Sequence, residues 1–254
     1  MSDEVVHYTV DRGIATITLD SPENRNALSS ALVGQLTAHL QAVGADDGVR
    51  AVILTHTGST FCAGADLRES ASEGGPAKGT ARMIALMRAI VELPKPVLAS
   101  IDGNVRAGGM GVIGACDMVV VGPKTTFALT EVRLGLAPAM ITLTLRGRLT
   151  ERAMSRYYLT GETFDPAMAQ AAGLISAAVD DVATEVAAIC DGLRKGSPQG
   201  LAESKKLTTA GTLAAFDAEA ESLQALSQRL FESDEAREGM LSFLEKRPPR
   251  WAVE

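Results

Sequence analysis

Cysteine is scarce in this chain of 254 residues, and the three present, Cys62, Cys116 and Cys190, are odd in number and widely spaced. That argues against a disulfide framework and against a metal knuckle. Histidine is equally scarce: His7, His39 and His56 form no HExxH pair, so a zinc enzyme is not expected. No run approaches the roughly 18–20 apolar residues of a membrane span. Met1-Ser2-Asp3-Glu4 opens acidic rather than as a secretory leader, and a soluble cytoplasmic protein with reduced thiols is expected. Basic charge is in deficit, 24 Lys and Arg against 31 Asp and Glu for a net charge of −7. This balance disfavours nucleic acid or an anionic membrane as partner, while a local basic site could still hold a phosphorylated ligand. A GxSxG nucleophile elbow and a GxxxxGK[ST] phosphate loop are also missing.

What is present is a globular composition, 46% apolar, on a chain long enough for one large domain or a domain with an appendage. Val5–Val10 and Ile14–Leu19 alternate apolar and polar about Asp11-Arg12-Gly13 and predict a β-hairpin. Leu28–Val43 has helical spacing. Ala51–Thr55, Val97–Ile101 and Met118–Val121 read as short buried strands, with an amphipathic helix over Ala81–Leu93. The polar, glycine-rich Ser70–Thr80 reads as a mobile loop. Helices are predicted at Thr150–Leu159, Pro166–Ala172, Val182–Leu193, Pro198–Thr209 and Leu213–Phe231, with Asp165-Pro166 as a cap and first helical residue. The fold class is therefore α/β: a strand–helix core over 1–179 and a helical C-terminal region over 180–254. The basic, aromatic tail from Phe243 to Trp251 reads either as a solvated terminus or as part of a ligand site.

Gly109-Met110-Gly111-Val112-Ile113-Gly114 matches GxGxxG. It falls mid-chain, and the following strand ends in Gly122-Pro123-Lys124 without an acid, so a nicotinamide or flavin site is disfavoured. The glycines also fit a strand-to-helix turn that lets a ligand approach open backbone N–H groups. Cys62-Ala63-Gly64-Ala65 has the same character. Two such turns face to face would form an oxyanion hole; tight packing alone is the other reading.

The residues that carry a resemblance are Glu23-Asn24-Arg25-Asn26-Ala27-Leu28, Phe61 to Leu67, Gly103 to Asp117, Glu131 to Pro138, Tyr157 to Gly161, Ala171 to Ile175, and Glu238 to Arg247. In these the chain resembles the crotonase (enoyl-CoA hydratase/isomerase) superfamily over nearly its whole length, and most closely the methylglutaconyl-CoA and isohexenylglutaconyl-CoA hydratase-like branch. The resemblance implies a spiral of ββα units with a helical C-terminal trimerisation region, and assembly as a homotrimer or a dimer of trimers. It implies reversible hydration of a 2-enoyl-CoA thioester, with no cofactor besides the coenzyme A of the substrate and no nucleic acid or membrane partner. Ala63 and Gly108 would be the oxyanion donors and Glu131 the base. Arg25, Ala27, Ala65, Asp66 and Leu67 would line the coenzyme A site, with Phe243 and Lys246 near its nucleotide end. Gly111 stands where two-glutamate hydratases carry their first carboxylate, and Arg106 stands at a place usually apolar. Arg106 and Arg133 are candidate cations for a dicarboxylic acyl group. The alternatives are an enoyl-CoA isomerase, for which one base suffices, and a CoA-thioester-binding protein with little turnover.

Overall fold

Two residues with positive φ, Arg12 and Gly13, close the first hairpin, as a type I′ turn between twisted strands requires. The flanking strands β1 (Val6–Asp11) and β2 (Ile14–Leu19) pair antiparallel from Val6↔Leu19 to Asp11↔Ile14. The computed structural model describes residues 4–66, 69 and 76–253, without the side chains of 76 and 77. From β2 onward the main sheet is parallel, in the order β1-β2-β3-β5-β7-β9, with β3 (Ala51–His56), β5 (Val97–Ile101), β7 (Met118–Val121) and β9 (Ala177–Ala178). Its strands are nearly continuous apolar runs because both faces are covered. Ile14, Ala51, Leu98 and Val120 lie under Val186 and Cys190 of helix α7 (Val182–Lys195), and the opposite face enters the large core.

A second, three-stranded parallel sheet stands beside the first. Its strands β4 (Thr60–Cys62), β6 (Asn104–Arg106) and β8 (Phe127–Ala128) each follow a strand of the main sheet after a short turn. Every circuit is thus strand, strand, helix, as the resemblance implies. Strands of two or three residues are too short to show a period, and none of the three was predicted. Their registers, Thr60↔Asn104 and Arg106↔Ala128, bring three successive chain turns side by side.

The predicted helices are in place with shifted ends, and a short one at Thr142–Leu145 was not predicted. Helix α1 (Ser30–Ala45) starts after Ser29, whose Oγ accepts from Leu32 N at 3.2 Å. Helix α2 (Pro76–Glu92) begins five residues before the expected Ala81, with proline in the position it tolerates best. The end of the expected Ser70–Thr80 loop is therefore helical, and its residues 70–75 lie outside the described residues. Helices α3 (Gly108–Ala115), α4 (Thr142–Leu145), α5 (Glu151–Thr160) and α6 (Pro166–Ala171) complete the spiral. The segments expected at Pro198–Thr209 and Leu213–Phe231 form one 34-residue helix, α8 (Pro198–Phe231). Gly211 inside it has open space around its Cα, and a glycine there weakens a helix by about 1 kcal/mol without ending it. A last helix, α9 (Asp234–Glu245), was not predicted.

The C-terminal helices share the core with the spiral. Phe216 of α8 is buried in the main cluster. Lys205 Nζ lies 2.8 Å from Asp117 Oδ2 and donates to Ile90 O at 2.9 Å and Lys95 O at 3.1 Å. Asp117 Oδ2 also accepts from Val97 N at 2.7 Å, so the buried lysine and its half-buried partner are paired and hydrogen-bonded. Among the described residues no helix is long and apolar enough to cross a membrane.

Candidate active site

The small parallel sheet puts two glycine turns in contact. A Cβ built on Gly64 (φ +96°) would lie 2.8 Å from Ala107 Cβ and 3.4 Å from Gly108 N, so only glycine lets the turns approach this closely. The loop ahead of α1 is pinned to the same place. Buried Asn26 donates to Thr60 O at 2.7 Å and Thr57 O at 3.1 Å and accepts from Ser21 N at 2.7 Å. Asn24 donates to Asp66 Oδ2 at 2.7 Å, and Asp66 Oδ1 accepts from Glu69 N at 3.2 Å. Arg25 and Asn26 both have positive φ, and this places the Arg25 carbonyl against the Cys62–Asp66 turn.

That contact corrects one expectation. The Ala63 N–H donates to Arg25 O at 3.1 Å, so it is not available to a ligand. Gly64 N is turned to Cys62 Sγ at 3.4 Å, and Leu28 N takes Gly64 O at 2.8 Å. The N–H this turn leaves without an acceptor among the described residues is that of exposed Ala65. Gly108 N opens helix α3, where an N–H has no intrahelical acceptor. The open pair is therefore Ala65 and Gly108. Ala27 is buried beside this turn, and Leu67 lies outside the described residues. Phe243 and Lys246 are exposed at the end of α9.

Glu131 arrives from the third turn. Ala107 N donates to Ala128 O at 3.2 Å, which sets the 3₁₀ turn Thr130–Leu134 alongside Gly108. The Glu131 Oε2 is buried and has no hydrogen-bond partner among the described residues. Burial raises its carboxyl to about 7, against partial lowering by its own backbone N–H. An unpartnered buried carboxylate is costly to folding and belongs to the groups that need a functional explanation. The turn is also held from behind. A Cβ on Gly135 (φ +70°) would lie 2.6 Å from Glu235 C, and one on Gly239 would lie 2.6 Å from Leu134 Cα, so α9 meets the glutamate's turn backbone to backbone.

Position 111 is not an open vacancy. A Cβ on Gly111 would stand 2.5 Å from Ile141 Cγ2 and 2.8 Å from Met87 Sδ, and the Gly111 carbonyl accepts from Thr144 Oγ1 at 2.9 Å. Apolar atoms of α2 and of the residue preceding α4 occupy the space a second glutamate would need. Of the two candidate cations, Arg106 has its guanidinium taken up by the backbone and Thr126. Arg106 donates to Val105 O at 2.9 Å, Thr126 O at 2.6 Å and Thr126 Oγ1 at 2.7 Å, and Arg133 is exposed with Nε donating to Thr160 O at 3.3 Å. Cys62 and Cys116 are buried, and burial pushes both thiols to about 12, so neither is a nucleophile. Residues missed in the sequence are Met87 and Ile141, which fill position 111, and Thr142 and Tyr158. The last two join at 3.1 Å between hydroxyls near Glu131. Tyr158 lies inside the Tyr157–Gly161 stretch that carries the resemblance, which does not single out its hydroxyl, and Met87, Ile141 and Thr142 lie in none of the stretches that carry it.

The site thus has two open backbone N–H groups on neighbouring turns and one carboxylate raised to about 7. Such an arrangement can stabilise an enolate and move a proton next to it. The family described as enoyl-CoA hydratase/isomerase matches residues 9–254. An enoyl-CoA hydratase from Mycobacterium avium is 53% identical, with a TM-score of 0.93 over 98% of this chain and 100% of that one. A carnitinyl-CoA hydratase from the same species is 28% identical, with a TM-score of 0.86 and full coverage of both chains. The 2,3-dehydroadipyl-CoA hydratase of Escherichia coli (strain K12) is 30% identical over 239 residues, 93% of this chain and 94% of that protein.

Proposed function

The chain belongs to the enoyl-CoA hydratase/isomerase family, and from that premise we propose that its reaction is the reversible hydration of a 2-enoyl-CoA thioester by a single carboxylate. The N–H groups of Ala65 and Gly108 take the thioester oxygen. Each such donor is worth about 3–4 kcal/mol where it acts on developing charge. Glu131 removes a proton from water as the oxygen bonds to C3, and the same proton is delivered to C2. The observation that carries the reading is the buried, unpartnered Oε2 of Glu131, with its carboxyl raised to about 7. A group of that pKa can take and return a proton at neutral pH. Coenzyme A enters as part of the substrate, and no further cofactor is invoked.

The experiment is turnover of a panel of 2-enoyl-CoA thioesters, followed by loss of the enoyl absorbance, for the wild type and Glu131→Gln. Loss of about 10³-fold or more in kcat with thioester binding retained supports the reading. Equal background turnover in both would leave a binding protein. A second reading, Δ3-to-Δ2 isomerisation, draws on the filled space at Gly111, since moving a proton from C2 to C4 needs one base and no oriented water. Product analysis on 3-enoyl and 2-enoyl thioesters separates the two. Exposed Leu207, Leu241, Phe243 and Leu244 on the C-terminal helices support self-association as a trimer or dimer of trimers, which light scattering would test.

A further inference from the structure

Arg106 is the one charged residue in the strands of the small sheet, and the proposed reaction gives it no task. Along β6 the side chains alternate as a strand requires. Val105 enters the main core, while Asn104 and Arg106 lie on the other face. A half-buried guanidinium is a costly occupant for that face. Among the described residues it has no carboxylate partner, and burial pushes its pKa down with no acid to oppose the shift.

What the guanidinium does is tie strands together. Its Nη1 donates to Val105 O and Thr126 O, and its Nη2 to Thr126 Oγ1. Arginine has only donors, so Thr126 Oγ1 accepts there and passes its own proton to Asn104 Oδ1 at 2.5 Å. The Asn104 amide closes the run by donating to Ser59 O at 3.4 Å. One line of hydrogen bonds therefore crosses from the residue ahead of β4, through β6, to the residue ahead of β8. The backbone pairing it reinforces is short: Val105↔Phe127 and Arg106↔Ala128 are the paired positions of β6 and β8. Val105 N donates to the same Thr126 carbonyl at 2.9 Å, and Ala107 N to Ala128 O at 3.2 Å. Between Arg106 and Gly108 stands Ala107 with φ +44°, a strained conformation for a residue with a Cβ, kept only where the surroundings impose it. That bend is where β6 turns into α3.

We propose that Arg106 is a positioning residue: by locking β6 to β8 through Thr126 it fixes the Gly108 N–H and the Glu131 turn relative to each other, without touching substrate. This rests on the hydratase reading. Both groups leave the sheet close to the tie, Gly108 just past Arg106 and Glu131 just past β8. With the tie cut, Ala107 relaxes its strain and the donor moves off the thioester oxygen, where small displacements are costly to rate. Fold stability follows a different rule. An apolar residue at this place removes a cation that burial disfavours, so the fold loses little.

The test uses the full-length protein and whichever thioester of the 2-enoyl panel the wild type turns over best. Arg106→Leu is expected to lower kcat about 10- to 100-fold, with KM changed less than about threefold. Its urea midpoint is expected to stay within about 0.5 M of wild type. Arg106→Lys keeps the charge, but one ammonium cannot replace the planar fork, so its kcat falls in the same way. Thr126→Val lowers kcat too, and Thr126→Ser, which keeps the hydroxyl, restores it. An Arg106→Leu kcat within about twofold of wild type, beside an inactive Glu131→Gln, overturns this proposal and leaves the hydratase reading standing. A urea midpoint that falls further than about 0.5 M along with kcat overturns it as well, since the arginine then holds the fold rather than the site. Full activity in Arg106→Lys overturns it by making charge the agent, and a loss confined to thioesters with a second carboxylate does so by making Arg106 a substrate contact. An active Glu131→Gln, or a wild type that hydrates none of the panel, overturns the hydratase reading and this proposal with it.

Discussion

Writing a glutamate into position 111 would restore the side chain that the resemblance to two-glutamate hydratases implies for this place, yet the structure forecasts damage rather than gain. The first atom added already meets Ile141 Cγ2 at 2.5 Å and Met87 Sδ at 2.8 Å, against the roughly 3.5–4.0 Å of unstrained carbon contact. Overpacking of this order costs about 1–3 kcal/mol. A carboxyl group pushed among these apolar atoms without a partner adds at least about 2 kcal/mol. Gly111→Glu should therefore lose about 3 kcal/mol or more, a large share of the roughly 5–15 kcal/mol that holds a domain together. Gly111→Ala isolates the steric part. Alanine is favoured over glycine by about 1 kcal/mol inside a helix, so a net loss there reports on the contact itself. Urea unfolding at one fixed protein concentration measures both, and Gly111→Glu should lower the midpoint by about 1 M. Ile141→Ala should cost less in the Gly111→Ala background than alone, with a coupling of about 0.5–3 kcal/mol. A Gly111→Glu protein as stable as wild type, hydrating faster, would refute the packing account.

Three further outcomes are expected. With Glu131 raised to about 7 by burial, kcat/KM should fall below an acid limb near pH 7, because the base must be ionised. The same shift has a stability sign: folded Glu131 holds a proton the unfolded chain releases, so its contribution is present below the ordinary carboxylate value and lost as pH rises through about 7. Glu131→Gln should thus unfold later than wild type at pH 8, by on the order of 2–3 kcal/mol, and show little difference at pH 5 in paired urea titrations. Gly239→Ala would drive a methyl into the Leu134 backbone and displace the glutamate's turn, lowering kcat by about 10- to 100-fold in steady-state assays while thioester binding persists. Lys205→Met removes the cation partner of half-buried Asp117 and should cost about 1.5–3 kcal/mol in urea unfolding, with Asp117→Asn added to it recovering part of the loss.

Much of this molecule was legible in the chain because its signals are local. The alternation of Ile14–Leu19 and the apolar run Val97–Ile101 match their strands end to end. Asp165-Pro166 caps α6 as read, with Asp165 Oδ1 accepting from Met168 N at 2.8 Å. What escaped depends on contacts between distant residues. The small sheet has no period to detect, yet its registers bring Gly64, Gly108 and Glu131 together. Ala63 lost its expected donor role to a carbonyl 38 positions earlier in the chain, that of Arg25. Gly111 announced a missing carboxylate, but only packing reveals that Ile141 and Met87 have closed the space.

On the ribosome, Asp117 is made well before Lys205. Until α8 emerges, the nascent spiral carries a carboxylate held by one backbone N–H, beside the carbonyls of Ile90 and Lys95 that await the lysine's protons. At translation speeds of about 5–20 residues per second that interval lasts several seconds. Phe216, which completes the main core from the same helix, arrives later still. The first two thirds of the chain therefore cannot settle early and wait, as an independent N-terminal domain would. A product truncated before α8 is expected to aggregate rather than persist as a smaller enzyme.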